Sequence, residues 1–378
     1  MRIAIPREAE SEPRVAATPE TIKKIKSLGA EVAVEAGAGV KSGILDSDYE
    51  AAGASVHAGA ADVVGDADVV LKVRRPSAEE VVHYNRGAIV IAIMDPYGNE
   101  AALQQLAEAG VSALAMELMP RISRAQSMDV LSSQANLAGY RAVIDGAAEF
   151  GRALPMMMTA AGTVPAARIF VMGAGVAGLQ AIATARRLGA VVTATDVRPA
   201  AKEQVESLGA KFVAIEDEEF KQAETAGGYA KPMSKEYQAK QAALVAEHVK
   251  KQDIVITTAL IPGRPAPRLI TQDMLASMRP GSVIVDLAVE RGGNVEGAKP
   301  DELVDANGVK ILGYVNTGRI AATASALYAK NLYSLLETLV DKASKTLAVK
   351  WDDEIVKAIA LTREGAVIHP DFQPKNAA

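Results

Sequence analysis

The stretch RIFVMGAGVAGLQAIATARR, residues 168–187, constrains the fold more than any other part of the chain. Four apolar residues, Ile169–Met172, have strand length. Gly173, Gly175 and Gly178 follow as G-A-G-V-A-G, and a helical pattern runs over 177–188. Glycine-rich turns are common, but a preceding strand and a following helix give each glycine a job. The first permits the tight turn, the second lets the backbone approach a pyrophosphate, and the third lets the helix pack against the strand. The anion would rest on the helix N-terminus, where free N–H groups and the dipole favour negative charge.

The next strand, Val191–Thr195, is followed at once by Asp196, 18 residues beyond Gly178. A carboxylate at a strand end accepts hydrogen bonds from the adenosine ribose hydroxyls and repels a 2′-phosphate, so NAD(H) is expected rather than NADP(H). Arg198 argues the other way and is outweighed by the position of Asp196.

Around this unit, short Val/Ile-rich runs alternate with helical patterns. Arg2–Ile5, Glu31–Glu35, Asp68–Val73, Ala88–Met94 and Ser112–Met116 read as strands. Pro19–Leu28 reads as a helix, with Thr18 as its cap and Gly29 as its stop. Beyond Thr195 come a helix over 200–208 and strands over 212–215, 253–257, 282–287 and 309–312. Near-continuous apolar strands separated by helices predict parallel sheets covered on both faces. The expected fold class is α/β: two doubly wound, parallel-sheet, Rossmann-like domains with a cleft between them. A long helix is expected over 133–151, with Leu137, Tyr140, Ile144 and Ala147 on one stripe, and another over 322–340. The tail is read as returning to the first domain, giving 1–132 plus 320–378 as one domain and 133–319 as the NAD(H)-binding domain.

Composition removes several function classes. There are no cysteines, so disulfide scaffolds, thiolate metal sites and thiol catalysis are excluded. Four histidines, at 57, 83, 248 and 369, show no ligand spacing, and no metal is expected. Forty-one basic against 46 acidic residues give a net charge of −5, with no basic footprint for nucleic acid. The uncharged stretch 169–185 is short for a membrane span and is interrupted by glycines.

Two further segments attract attention. In PRISRAQSMD, residues 120–129, polar side chains crowd the stretch between a strand and the long helix. Arg121, Gln126, Asp129 and Ser132 could converge on a nicotinamide carboxamide and its ribose; Asp129 or Ser132 would equally serve to cap the helix. The glycine-containing stretch 216–234 is long enough to be a mobile lid, with Gly227-Gly228-Tyr229 supplying a hinge and an aromatic, or simply a solvated loop. After it, Tyr237, Gln241, Leu244, Val245 and His248 share a helical stripe on which Gln241 is a polar member.

The segments IAIPRE…RVAATPE and ADVVLKVRRP resemble the alanine dehydrogenase and transhydrogenase superfamily. More specifically, residues 116–147 (MELMPRISRAQSMDVLSSQANLAGYRAVIDGA), residues 161–200 around the glycine turn and AETAGGYAKPMS resemble the NAD(H)-binding component of proton-translocating transhydrogenases. The resemblance runs the length of the chain. It implies a homodimer on the cytoplasmic face of the membrane, held there by a membrane-spanning proton-channel component. Hydride would pass between NAD(H) here and NADP(H) on a separate NADP(H)-binding component. Nicotinamide contacts carry over onto Arg121, Ile122, Ser123, Gln126, Asp129 and Ser132, with Ser127 and Met128 in the same candidate stretch. Gln126 is the residue expected to face the NADP(H) partner. Arg121, Gln126, Asp129 and Ser132 form the expected catalytic set. Nucleotide contacts carry over onto Gly173, Gly175, Val176, Ala177, Gly178, Asp196, Val197 and Arg198, and fainter ones onto Gly228, Tyr229, Gln241 and Leu260.

Two alternatives remain. A free-standing alanine dehydrogenase needs a carboxylate clamp and a proton relay. Arg14 stands at the clamp position, but the relay lysine is replaced by Arg74, the relay histidine is absent with Asp95 nearest, and the later aspartate is replaced by Glu290. Arginine cannot act as a base near neutral pH. The other alternative is a module that senses NADH and transfers nothing.

Overall fold

Six short strands form the first sheet: β1 (Arg2–Ile5), β2 (Glu31–Glu35), β3 (Ser55–His57), β4 (Val69–Arg74), β5 (Ile89–Ile93) and β6 (Ser112–Ala115). All pair in parallel, in the order β3-β2-β1-β4-β5-β6. Alternate residues serve opposite faces: Ile3, Ile5, Leu71 and Ile91 enter one core, and Ala4, Val70, Val90 and Ala92 enter the other. A sheet buried on both sides in this way requires apolar residues at consecutive positions. These strands belong to a unit comprising 1–134 and the segment from Ile320 onward. The helix Ala321–Leu339 contributes Tyr328, Leu332, Leu335, Leu336 and Leu339 to the first of these cores. The structure is a computed structural model that describes residues 1–223, 233–261, 263–314 and 316–373.

The second unit, 135–319, begins with part of the helix Val130–Glu149, then an exposed hairpin, β7 (Met157–Thr159) with β8 (Gly162–Val164). Its main sheet contains β9 (Arg168–Met172), β10 (Val191–Thr195), β11 (Lys211–Phe212), β12 (Ile254–Thr257), β13 (Val283–Asp286), β14 (Leu303–Ala306) and β15 (Val309–Leu312). The order is β11-β10-β9-β12-β13-β15-β14. Six strands are parallel; β14 closes the edge antiparallel to β15. The strand order reverses at β9/β12, the place where doubly wound sheets bind ligands.

Several local expectations change. The strand expected over 212–215 stops at Phe212, because helix side chains take the backbone further on: Gln241 Oε1 accepts from Ile215 N–H at 2.9 Å, and Tyr237 Oη donates to Ile215 O at 3.0 Å. The expected loop 216–234 contains the short helix Glu218–Lys221, capped by Asp217 and anchored by buried Phe220. The strand β14 was not anticipated; its burial alternates as an edge strand should, and it carries no continuous apolar run. The long helix starts earlier than expected, and its buried face is Gly139, Ala142, Val143 and Gly146 rather than the Tyr140 stripe. Tyr140 is exposed.

Candidate functional site

The glycine turn sits at the carboxyl end of β9. Gly173 has φ +106°, a left-handed conformation costly for a side chain, and a Cβ there would lie 2.4 Å from Thr258 Oγ1. A Cβ on Gly178 would lie 1.8 Å from the Gly173 carbonyl oxygen, so the helix Val176–Arg187 can approach β9 only through a glycine. A Cβ on Gly175, in contrast, would meet nothing. The middle glycine therefore leaves bare backbone facing open space at a helix N-terminus, which fits a pyrophosphate. Val176 is exposed beside it and Ala177 half-buried. A Cβ on Gly139 would lie 2.0 Å from Ala177 O, so this small residue of the long helix admits the first turn of the nucleotide helix. Thr258 Oγ1 donates to Gly173 O at 3.1 Å and braces the turn from the end of β12. Neither Thr258 nor Gly139 was anticipated as part of the turn, since the motif says nothing about what packs on it.

Asp196 follows β10. Its carboxylate accepts from Ala174 N–H at 2.7 Å, tying the ribose position to the glycine turn, and from the backbone and guanidinium of Arg198. Val197 is exposed alongside. Gln241 is engaged at both ends, accepting from Ile215 N–H and donating to Thr195 Oγ1 at 3.1 Å, so it braces the β10 end. Leu260 is exposed on the segment after β12. That segment is fixed by buried Asn294, which accepts from Ala259 N–H and donates to Ala259 O and Pro267 O. Gly228 and Tyr229 lie outside the described residues.

In the first unit, residues 123–128 form a short 3-10 helix, Ser123–Met128. Ala125 and Met128 are buried in the core beneath it, so Met128 anchors the turn and its side chain does not face outward; Ile122 is half-buried against the same core. Arg121, Ser123, Gln126 and Ser127 are exposed. Asp129 makes the capping contacts: Oδ1 accepts from Ser132 N–H at 2.9 Å and Oδ2 from Ser132 Oγ at 2.5 Å. Each oxygen keeps a second lone pair, so capping and ligand binding are compatible. Arg124 pins the turn outward, with Nη1 and Nη2 on the two Asp353 oxygens at 2.8 and 2.9 Å and Nη2 on Glu354 at 3.1 Å. That pairing raises the Arg124 pKa and lowers that of Asp353.

The positions a dehydrogenase relay would use are already paired. Buried Arg14 gives Nε and Nη2 to the two Glu12 oxygens, both at 2.7 Å, and Nη1 to Gln134 at 2.9 Å. Arg74 Nε donates to Glu12 at 2.8 Å. Lys72, buried, lies 2.6 Å from Glu80 and 3.6 Å from Glu8. Burial pushes the Glu8 carboxyl above its ordinary pKa against the opposing pull of Lys72. A cavity of about 340 Å³ near the ends of β1 and β4 is lined by these same paired groups.

The alanine dehydrogenase/PNT N-terminal domain matches residues 4–138, and the C-terminal domain of the same family matches 142–370. The chain belongs to the alanine dehydrogenase/PNT family. Within it, the first of the separate polypeptides that make up the NAD(P) transhydrogenase alpha subunit of Rhodospirillum rubrum is 57% identical over 384 residues, spanning all of both chains. A solved transhydrogenase structure from Sinorhizobium meliloti superposes with a TM-score of 0.89 at 66% identity, over 97% of this chain and 100% of that one. An alanine dehydrogenase from Halomonas elongata is 33% identical over 304 residues, or 79% of this chain and 76% of that one. The family assignment and the Rossmann-like α/β fold agree with the sequence reading. Among the described residues, no helix is long and apolar enough to cross a membrane, and no group of three or more His, Asp or Glu could hold a metal.

Proposed function

We propose that the chain is the NAD(H)-binding subunit of a proton-translocating transhydrogenase. It would exchange hydride with NADP(H) held on a partner component, while a membrane-spanning component couples the exchange to proton movement. The observation that carries this reading is the contrast between the two halves of the chemistry: the dinucleotide turn is bare at Gly175, whereas Arg14, Lys72 and Arg74 are all committed to carboxylates. Reducing an imine or carbonyl requires a proton donor; transfer between two nicotinamides moves none at the reacting carbons. NADH, when bound, supplies the hydride.

The residues divide the work. The turn at 173–178 takes the pyrophosphate on backbone N–H groups. Asp196, with Val197 and Arg198, takes the adenosine ribose. Arg121, Gln126, Asp129 and Ser132 hold the nicotinamide carboxamide and its ribose, and Gln126 faces the NADP(H) component. Their task is to orient the ring and exclude water rather than to move a proton. Tyr229 would cover the nucleotide. The domain limits are taken as 1–132 plus 320–378 and 133–319.

Two copies are proposed to associate, and the exposed hairpin supports this: Met156, Met157 and Met158 are 63, 42 and 80% exposed, an apolar cluster suited to a protein partner. Attachment to the cytoplasmic face of the membrane would come through the partner components.

The test is a calorimetric titration with NADH and NADPH, followed by a hydride-exchange assay with an added NADP(H)-binding component and a nicotinamide analogue. Tight NADH, weak NADPH and partner-dependent exchange are expected. NADH oxidation by pyruvate and ammonia without the partner would favour a dehydrogenase. Binding with no exchange would favour a sensor.

A further inference from the structure

Residue 331 is an asparagine in the middle of an apolar helix. Ala321–Leu339 directs Ala324, Tyr328, Leu332, Leu335, Leu336 and Leu339 into the core, and Asn331 is itself only 8% exposed. Asparagine is a poor helix former, and burying its amide is costly unless both ends find partners. Both do, on the polar turn described above. Nδ2 donates to Ser127 O at 2.8 Å, and Oδ1 accepts from Ser133 Oγ at 2.7 Å. The orientation of the amide is settled by its partner, because a carbonyl oxygen can only accept.

The two anchor points bracket a short span. Ser127 lies at the end of the 3-10 turn, next to Gln126. Ser133 lies in the first turn of the long helix, next to Ser132. Between them are Asp129 and Ser132. A 3-10 turn of six residues has weak hydrogen bonds of its own and depends on outside contacts for its shape. Ala125 and Met128 supply an apolar anchor, and Arg124 a solvent-exposed ionic one. Asn331 fixes both the start and the finish of the span through directional bonds.

Resting on the reading of residues 121–132 as the nicotinamide segment, we propose that Asn331 is a positioning residue for hydride transfer, holding the Ser127–Ser133 span so that Gln126, Asp129 and Ser132 keep their places relative to the ring. Asn331 does not touch the nucleotide in this role. Because transfer depends steeply on ring placement, a small shift of the span slows the step more than it weakens binding.

The test uses the whole chain with the NADP(H)-binding component. Asn331→Leu removes both bonds at similar volume. Asn331→Asp is isosteric, keeps the acceptor for Ser133 and sets a carboxylate oxygen against Ser127 O. Hydride transfer is measured in single turnovers at saturating nucleotide, and ADP-ribose, which lacks the nicotinamide, is titrated in parallel. Both variants should slow transfer by about tenfold or more while ADP-ribose affinity stays within about twofold. Leu332→Ala, a core change in the same helix, controls for stability: it should lower the melting temperature at least as much and leave the transfer rate within about twofold. If the Asn331 variants fail to fold, Ser133→Ala removes one bond alone and should slow transfer by a smaller factor.

Unchanged transfer in the folded variants, or an equal loss in Leu332→Ala, overturns the proposal. Gln126→Asn separates the two levels. If it slows transfer and the Asn331 variants do not, the positioning role falls and the nicotinamide reading stands. If Gln126→Asn leaves transfer unchanged, that reading falls and the positioning role falls with it.

Discussion

Arg198 closes onto Asp196. Its Nε reaches one carboxylate oxygen at 2.9 Å, its Nη2 the other at 3.0 Å, and its backbone N–H adds a third bond at 2.9 Å. Ala174 N–H supplies a fourth, at 2.7 Å. A carboxylate has about four lone-pair positions, so a ribose must displace part of this set, and the guanidinium is the part able to swing away.

Asp196→Ala should therefore act twice. It removes the acceptor for the ribose hydroxyls, weakening NADH by about tenfold or more, as expected for a bond to a charged group worth about 1.5–3 kcal/mol. It also frees Arg198 to meet a 2′-phosphate, so NADPH binding should strengthen. The double change Asp196→Ala with Arg198→Ala should lose the NADPH gain and keep the NADH loss. Calorimetric titration of all three proteins with both nucleotides checks this; equal NADPH affinity in the single and double variants would count against it.

Gly175 and Gly178 should respond differently to alanine. At Gly178 the added methyl runs into the Gly173 carbonyl, a backbone atom that cannot rotate away, so folding stability should fall by about 1–3 kcal/mol together with NADH binding. At Gly175 φ is −74° and the space is open, so Gly175→Ala should melt like the parent while binding NADH much more weakly, since the methyl occupies the pyrophosphate's approach. Thermal melting and fluorescence titration separate the two outcomes. A Gly175→Ala protein with parental affinity would remove the turn from the binding site.

Much of this architecture was legible in the sequence because buried parallel strands announce themselves as continuous apolar runs. Ile3, Ile5, Val171 and Val255 are fully buried, as that rule requires. What stayed hidden depends on partners distant in the chain. Asn331 meets Ser127 across about two hundred residues, and no local pattern links a helical asparagine to a 3-10 turn. The premature end of β11 has the same origin: Gln241 and Tyr237 claim the Ile215 backbone from a separate helix. In the polar turn, sequence identified Asp129 and Ser132 but could not choose between capping and binding; the capping bonds are present and leave lone pairs free.

Lys72 gives a prediction about stability. Its ammonium is buried between Glu80 and Glu8, and Glu8 also accepts from Val73 N–H at 2.7 Å. Lys72→Met strips a buried carboxylate of its counter-charge, and breaking such a pair costs about 3–5 kcal/mol. The pKa of Glu8, already raised by burial, should rise further. A carboxyl whose folded pKa exceeds its unfolded one gives stability at low pH that is lost as pH rises, so the variant should recover in mild acid. Adding Glu8→Gln should restore much of the loss at neutral pH. Urea midpoints for the single and double variants are the measurement, and equal loss in both would mean that the exposed contact with Glu80 carries the effect.

His248 sets a second pH dependence, of opposite sign. Its Nε2 lies 2.8 Å from Thr193 Oγ1, and its ring packs edge-on against Phe170 with centroids 4.7 Å apart. Burial lowers its pKa below the ordinary 6.5, and the positive charges of Lys251 and Lys211 add to the effect. The unfolded chain then takes up a proton at a higher pH than the folded one. Stability from this group is complete above the unfolded pKa and declines as pH falls toward the folded value. His248→Gln removes the titration and keeps a group able to bond Thr193. Urea midpoints followed from about pH 7.5 to about pH 5.5 should fall less in His248→Gln than in the parent, since few carboxylates change charge in that range. Parallel curves for the two proteins would show that His248 stays equally protonated in the folded and unfolded states.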